Sequence, residues 1–185
     1  MTLPVMDYRF QSVETLRDLQ KGMNFIHSQD LGYPGYHDWG ERAKPEIAVG
    51  KKDMILITHR GQIIGDFIGQ PHKVLGASGI YEIKNIRIHP DWRGRDLSRP
   101  LLRHVELGAR LRGFQALIAD YRADQMKIGN FLYAFGYVPV LSLPLYGDGN
   151  NDQVMVKFLH QQNRGFVQGL TKRIITTTEI QAAHN

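Results

Sequence analysis

A chain of 185 residues is long enough to bury one hydrophobic core without covalent staples. Its content of 42% hydrophobic and 22% charged residues is that of an ordinary globular domain, and with no cysteine it can form no disulfide, thiolate nucleophile or cysteine-ligated zinc site. The net charge of +5 suits an anionic small ligand as readily as a nucleic acid, and no run of lysine and arginine interleaved with aromatic residues argues for the latter. MTLPVMDYRF lacks a basic stretch followed by a long apolar run, so no secretory signal is expected. Apolar runs such as Met54 to Ile57 are far too short to span a bilayer, and a cytoplasmic protein without a membrane partner is expected.

In chain order, Tyr8 to Phe10 closes a first strand, and Ser12 stands where a helix N-cap belongs. Leu16, Leu19, Met23 and Ile26 then recur at spacings of three and four, which predicts an amphipathic helix over residues 13–27. Residues 31–46 mix glycine, proline and the rings of Tyr33, Tyr36 and Trp39 with little periodicity. A shaped loop with a short helical piece is the expectation there, its rings either capping the core or facing a ligand. Met54 to Thr58 and Gln62 to Ile68 read as an antiparallel hairpin turning at His59 to Gly61.

The next strand, IYEIKNIRI, places Ile80, Glu82, Lys84, Ile86 and Ile88 on one side and Tyr81, Ile83, Asn85 and Arg87 on the other. Neither side is wholly apolar, so a polar cleft is expected to meet it. Pro90 ends the strand, and Arg93, Gly94, Arg95 and Arg99 gather where a helix begins. Unpaired amides and a positive dipole end suit a phosphate there, although a plain connection with solvated arginines would look the same. Leu97, Leu101, Val105, Gly108 and Leu111 carry the helix, Pro100 fixes its first turn, and Gly113 stops it. Ala116 to Tyr121 is an apolar strand, expected parallel to the central one because a helix crosses between them. Ile128, Phe131, Leu132 and Phe135 outline the core face of a further helix, and residues 137–143 and 154–158 outline two more strands. Residues 173–180, rich in threonine and isoleucine, add a strand, pair with another subunit as in a homodimer, or form a loose tail. The eight histidines show no metal-ligand spacing, no serine sits in a Gly-x-Ser-x-Gly elbow, and no metal is expected.

The hydrophobic strand, His89-Pro90, Trp92-Arg93-Gly94, the amphipathic helix and the later Phe135-Gly136-Tyr137 together resemble the acyl-CoA-binding motif of the GNAT N-acetyltransferases. The resemblance covers roughly residues 53–158. In that family the loop reads Gln/Arg-x-x-Gly-x-Gly/Ala, whereas here the frame is Asp91 to Asp96, with one glycine matched and acidic residues at both ends. The resemblance implies an α/β fold, a central mixed sheet of about six to seven strands flanked by helices. It further implies a single domain over residues 1–159, with residues 160–185 as an extension beyond it.

The resemblance also implies a chemistry: an N-acyltransferase moving acetyl from acetyl-CoA, or another acyl-CoA, to a small-molecule or peptide amine by direct attack in a ternary complex. It assigns the pyrophosphate to Arg93, Gly94, Arg95, Asp96, Leu97, Ser98 and Arg99, the thioester and pantetheine to the strand around Ile86 and Ile88, and a further cofactor contact to Asn130. Residues after the first helix line the acceptor pocket, which makes Tyr33, Tyr36 and Trp39 candidates. Glu82 is the candidate general base, since a carboxylate partway along a central strand must be paired or raised in pKa, and a salt bridge to Lys84 or Arg87 is the alternative. The family's proton-donating tyrosine falls on Leu132. Tyr133 is the nearest phenol, turned by about 100° of helix from that position. The acidic loop keeps two other readings open: acyl transfer from acyl carrier protein, as in acyl-homoserine-lactone synthases, and a binding module without turnover.

Overall fold

The computed structural model describes residues 7–29, 35–75, 79–146, 149–160 and 164–183. Among them, seven strands and five helices follow in the order β1 (Tyr8–Ser12), α1 (Leu16–His27), α2 (Tyr36–Ala48), β2 (Asp53–His59), β3 (Gln62–Pro71), β4 (Ile80–Ile88), α3 (Ser98–Leu111), β5 (Ala116–Arg122), α4 (Met126–Ala134), β6 (Val138–Leu143), β7 (Asp152–Phe158) and α5 (Arg164–Ala182). The strands form one sheet in the order β1-β2-β3-β4-β5-β7-β6. β4 and β5 run parallel, as a helical crossover requires, and the β1–β2, β2–β3, β5–β7 and β6–β7 pairs are antiparallel. The architecture is the mixed α/β one expected. By contact the chain divides into two compact units, Met1–Gln70 with Lys84–Val105, and Pro71–Ile83 with Glu106–Asn185.

In the first unit, α1 and α2 close over a core of Leu19, Met23, Ile26, Tyr36, Ala43, Ile47, Met54, Leu56 and Ile68. Two expectations are corrected here. Ser12 is not the cap of α1 but the last residue of β1, paired with Ile55; the cap is Thr15, whose side chain accepts from the Asp18 amide. Residues 36–48 form a full helix of 13 residues rather than a loop with a short helical piece. Its buried stripe, Tyr36, Gly40, Ala43 and Ile47, has helical spacing, but small residues at two of the four positions mute the hydrophobic signal. Those small residues let α2 lie close to α1, and a Cβ on Gly40 would stand 3.4 Å from the His27 ring. The β2–β3 turn has Arg60 at φ 48° and Gly61 at φ 81°, the left-handed pair that a two-residue hairpin favours.

In the second unit, one sheet face carries Ile80, Ala116, Ile118, Val154 and Val156, and α5 covers it with Leu170 and Ile174. Residues 173–180 are therefore neither a strand nor a tail. Leu170, Ile174 and Thr178 fall at helical spacing and are all buried, and the Thr178 hydroxyl donates to the Ile174 carbonyl at 2.8 Å. Tertiary burial overrides the strand preference of β-branched residues. The buried face of α5 is spent on this chain's own sheet. Along α4, Leu132 and Phe135 are buried as expected, but Ile128 is 41% exposed and Gly129 takes the inward position. The reason is Tyr121, whose hydroxyl end occupies the space a Cβ at Gly129 would need.

Candidate functional site

In the first unit, β4 ends in a short 3-10 turn, Pro90–Trp92, and the chain then turns twice through left-handed backbone, at Gly94 (φ 75°) and Asp96 (φ 56°), before α3 begins. Leu97, 2% exposed, anchors the turn in the core. Alternating left-handed residues turn successive amides into an anion-binding concavity, so this backbone fits a phosphate. The side chains around it are engaged within the loop. Arg93 Nε donates to the Ile88 carbonyl at 3.2 Å, Arg95 lies 4.6 Å over the Trp92 ring, and Arg99 Nε stands 3.1 Å from the Asp96 carboxylate. Trp92 in turn meets the His59 ring at 4.7 Å. The Asp96 carboxylate is held by Arg99.

Ile86 is half-buried and Ile88 buried, both on the β4 face that also carries Glu82. The parallel ladder with β5 runs from Ile80–Ala116 to Ile83–Ala119, and residues 84–88 extend β4 beyond it. The opposite face of β4 carries a buried polar network that sequence reasoning missed. Arg87, 3% exposed, donates to the Ile26 carbonyl at the end of α1 and to Asn85 Oδ1, both at 3.2 Å, and its Nε lies 3.3 Å from Asp66. Its guanidinium also stacks 4.8 Å over the Tyr36 ring, so one side chain ties together the end of α1 and the start of α2. Burial drives the Asp66 carboxyl up to about 8, against the pull of the Asn85 amide, and drives Arg87 down to about 10. Tyr36 is therefore a core residue, with Trp39 half-buried and stacked on it at 5.9 Å. Tyr33 lies outside the described residues.

In the second unit, Glu82 stands opposite Ile118 on β5, so it shares a sheet face with Asp120 two residues on and with Asp152 on β7. Where α5 stops covering this face, the acids begin. The Tyr146 hydroxyl donates to Asp120 at 2.6 Å, and the Leu145 amide donates to Asp152 at 3.1 Å. Desolvation, then the carboxylates of Asp120, Glu82 and Asp152, raise the Tyr146 phenol far above its ordinary value, although the residue as a whole is 58% exposed. A phenol that senses three carboxylates marks a place that favours a cation and can accept its proton. Asp120 and Tyr146 had weak signals: one acid interrupting the apolar run ALIAD, and a ring in a segment that reads as a connection. The alternative pairing of Glu82 with Arg87 is set aside, because Arg87 lies on the other face and is taken by Asp66. On α4, Tyr133 is 69% exposed and shares its side with exposed Asn130 and Met126. Among the described residues no group of three histidines or acids is placed to hold a metal ion, and no helix is long and apolar enough to cross a membrane.

No protein-family model matches the sequence, and no curated protein sequence matches it either. Solved structures do match. The chain superposes on an acetyltransferase of the GNAT family from Desulfovibrio desulfuricans with a TM-score of 0.72 at 17% identity, covering 83% of this chain and 99% of that one. The chain has the GNAT fold. The ribosomal-protein-S18-alanine N-acetyltransferase of Escherichia coli matches with a TM-score of 0.69 at 19% identity, over 85% of this chain and 97% of that one. The spermidine/spermine N-acetyltransferase of Vibrio cholerae matches with a TM-score of 0.61 at 13% identity, over 82% and 92%. These GNAT structures are covered almost whole while about a sixth of this chain is left over.

Proposed function

We propose that the protein is an N-acyltransferase that moves acetyl from acetyl-CoA to a primary amine by direct attack in a ternary complex. The observation that carries this reading is Glu82, which in a GNAT fold shares one sheet face with Asp120 and the Tyr146 hydroxyl. The donor supplies an acetyl group activated as a thioester. The amides from Gly94 to Ser98 hold its phosphates, with three arginines outweighing Asp91 and Asp96, and backbone groups near Ile86 and Ile88 polarise the thioester carbonyl. Glu82, directly or through water, takes the proton that the ammonium must lose before it attacks. The new C–N bond forms as the C–S bond breaks, the attacking nitrogen releases its remaining surplus proton to solvent, and Tyr133 is the candidate to protonate the departing thiolate. Asp120 and Asp152 favour a cationic acceptor on the face that carries Glu82. A lysine-like amine needs the base more than an α-amine does, because more of it is protonated at neutral pH. The acceptors named for the matched structures, an alanine of ribosomal protein S18 and spermidine or spermine, are amines. Use of acetyl-CoA also implies a cytoplasmic enzyme.

Thiol release from acetyl-CoA, measured across a panel of polyamines, aminoglycosides and peptide N-termini, tests the reading. Turnover with at least one amine is expected, and Glu82→Gln should lower it by about 10²–10⁴-fold at neutral pH with partial recovery when alkaline. Full activity of Glu82→Gln at every pH removes Glu82 as the base. Turnover only from an acylated carrier protein transfers the donor role to that protein.

A further inference from the structure

Within the second unit, a groove of about 950 Å³ lies between the α3–β5 turn and the first half of α5. This volume is at the upper end of what ligand pockets occupy. Arg112, Phe114 and Gln115 form one wall, and Phe166, Leu170 and Arg173 form the other. The floor is fixed by backbone. The Gln115 amide donates to the Gly79 carbonyl at 2.7 Å, and a Cβ on Gly79 would stand 3.2 Å from the Gln115 nitrogen, so this corner requires glycine. Arg112 is held in place by rings, its guanidinium 4.8 Å over buried Tyr81 and 5.3 Å over Phe114. A guanidinium carries forked N–H donors that match the geometry of a carboxylate. Among the described residues the lining carries two guanidinium groups and no carboxylate, beside two aromatic rings.

We propose that this groove is a binding site for a small organic anion with a flat apolar body, in the simplest case an aromatic carboxylate. The arginines take the anionic end and the rings of Phe114 and Phe166 take the flat body, while Leu170, 4% exposed, supplies an apolar base. None of these residues belongs to the proposed acyl-transfer machinery, so the two readings stand or fall separately.

The test is a titration of ¹⁵N-labelled protein with 2-naphthoate, with naphthalene-2-methanol as its neutral counterpart. Saturable shifts are expected at the amides of Gly79, Gly113, Gln115 and Gly169, at unchanged midpoint when CoA is saturating. Affinity should fall about tenfold for the alcohol and for Arg173→Glu, an exposed position on α5, because both remove a charge-assisted hydrogen bond. Phe166→Ala keeps both charges and should weaken naphthoate through loss of the ring alone. Shifts confined to other residues, equal affinity for the alcohol, indifference to both variants, or displacement by CoA would each overturn the proposal.

Discussion

At residue 96 the backbone holds φ 56°, a conformation glycine adopts freely and a β-carbon resists. Aspartate stands there, with its carboxylate on Arg99, so a cation available to a phosphate is partly neutralised from within the loop. Asp96→Gly removes that charge and the strain together, and CoA should bind about three- to tenfold tighter in a calorimetric titration. Unchanged or weaker binding would dismiss this account of the loop. Asp66 gives a prediction in pH. Its carboxyl is raised from 3.8 to about 8 by burial, so between those values the folded chain holds a proton that the unfolded chain has lost. Its stabilising contribution is complete below the lower value and declines as pH rises, disappearing above the upper one. The denaturation midpoint of wild type should therefore fall from pH 5 to pH 8.5 more steeply than that of Asp66→Asn, and parallel curves would contradict the assignment. Glu82 was legible as a misplaced acid in a central strand. Asp66 and Arg87 were not, because a polar contact between strands leaves no local pattern, and each alone reads as an ordinary polar residue.

Among the elements, α4 and α5 carry the clearest tests. Tyr121 fills the space beside Gly129, so Gly129→Ala must push the ring aside, at a cost of about 1–3 kcal/mol measurable by urea denaturation. A neutral or stabilising result, the ordinary outcome of Gly→Ala in a helix, would show that the ring yields freely. Ile174 is fully buried where α5 meets the sheet, and Ile174→Ala should destabilise by about 2–4 kcal/mol. A loss under about 0.5 kcal/mol, typical of surface positions, would mean that α5 does not cover this face in solution. Strong periodicity made α1 and α3 readable from sequence, and alternation did the same for the β2–β3 hairpin. The helices that escaped, α2 and α5, bury glycine, alanine and threonine where leucine would have advertised the stripe.

For the whole molecule, the GNAT architecture was legible through the resemblance carried by His89-Pro90, Trp92-Arg93-Gly94, the helix after them and Phe135-Gly136-Tyr137, while the parallel pairing of β4 with β5 followed from the helix that crosses between them. The positions of the acids were less legible. Glu82, Asp120 and Asp152 come from three strands, and only the register of β4, β5 and β7 reveals that they share one face. The central claim is that this fold holds a pantetheine thioester by its phosphate end. Isothermal titration with acetyl-CoA, and in parallel with phosphopantetheine, tests it most directly. A single saturable site for acetyl-CoA, weakened by charge reversal at Arg95, is the predicted result; binding of neither compound would contradict it.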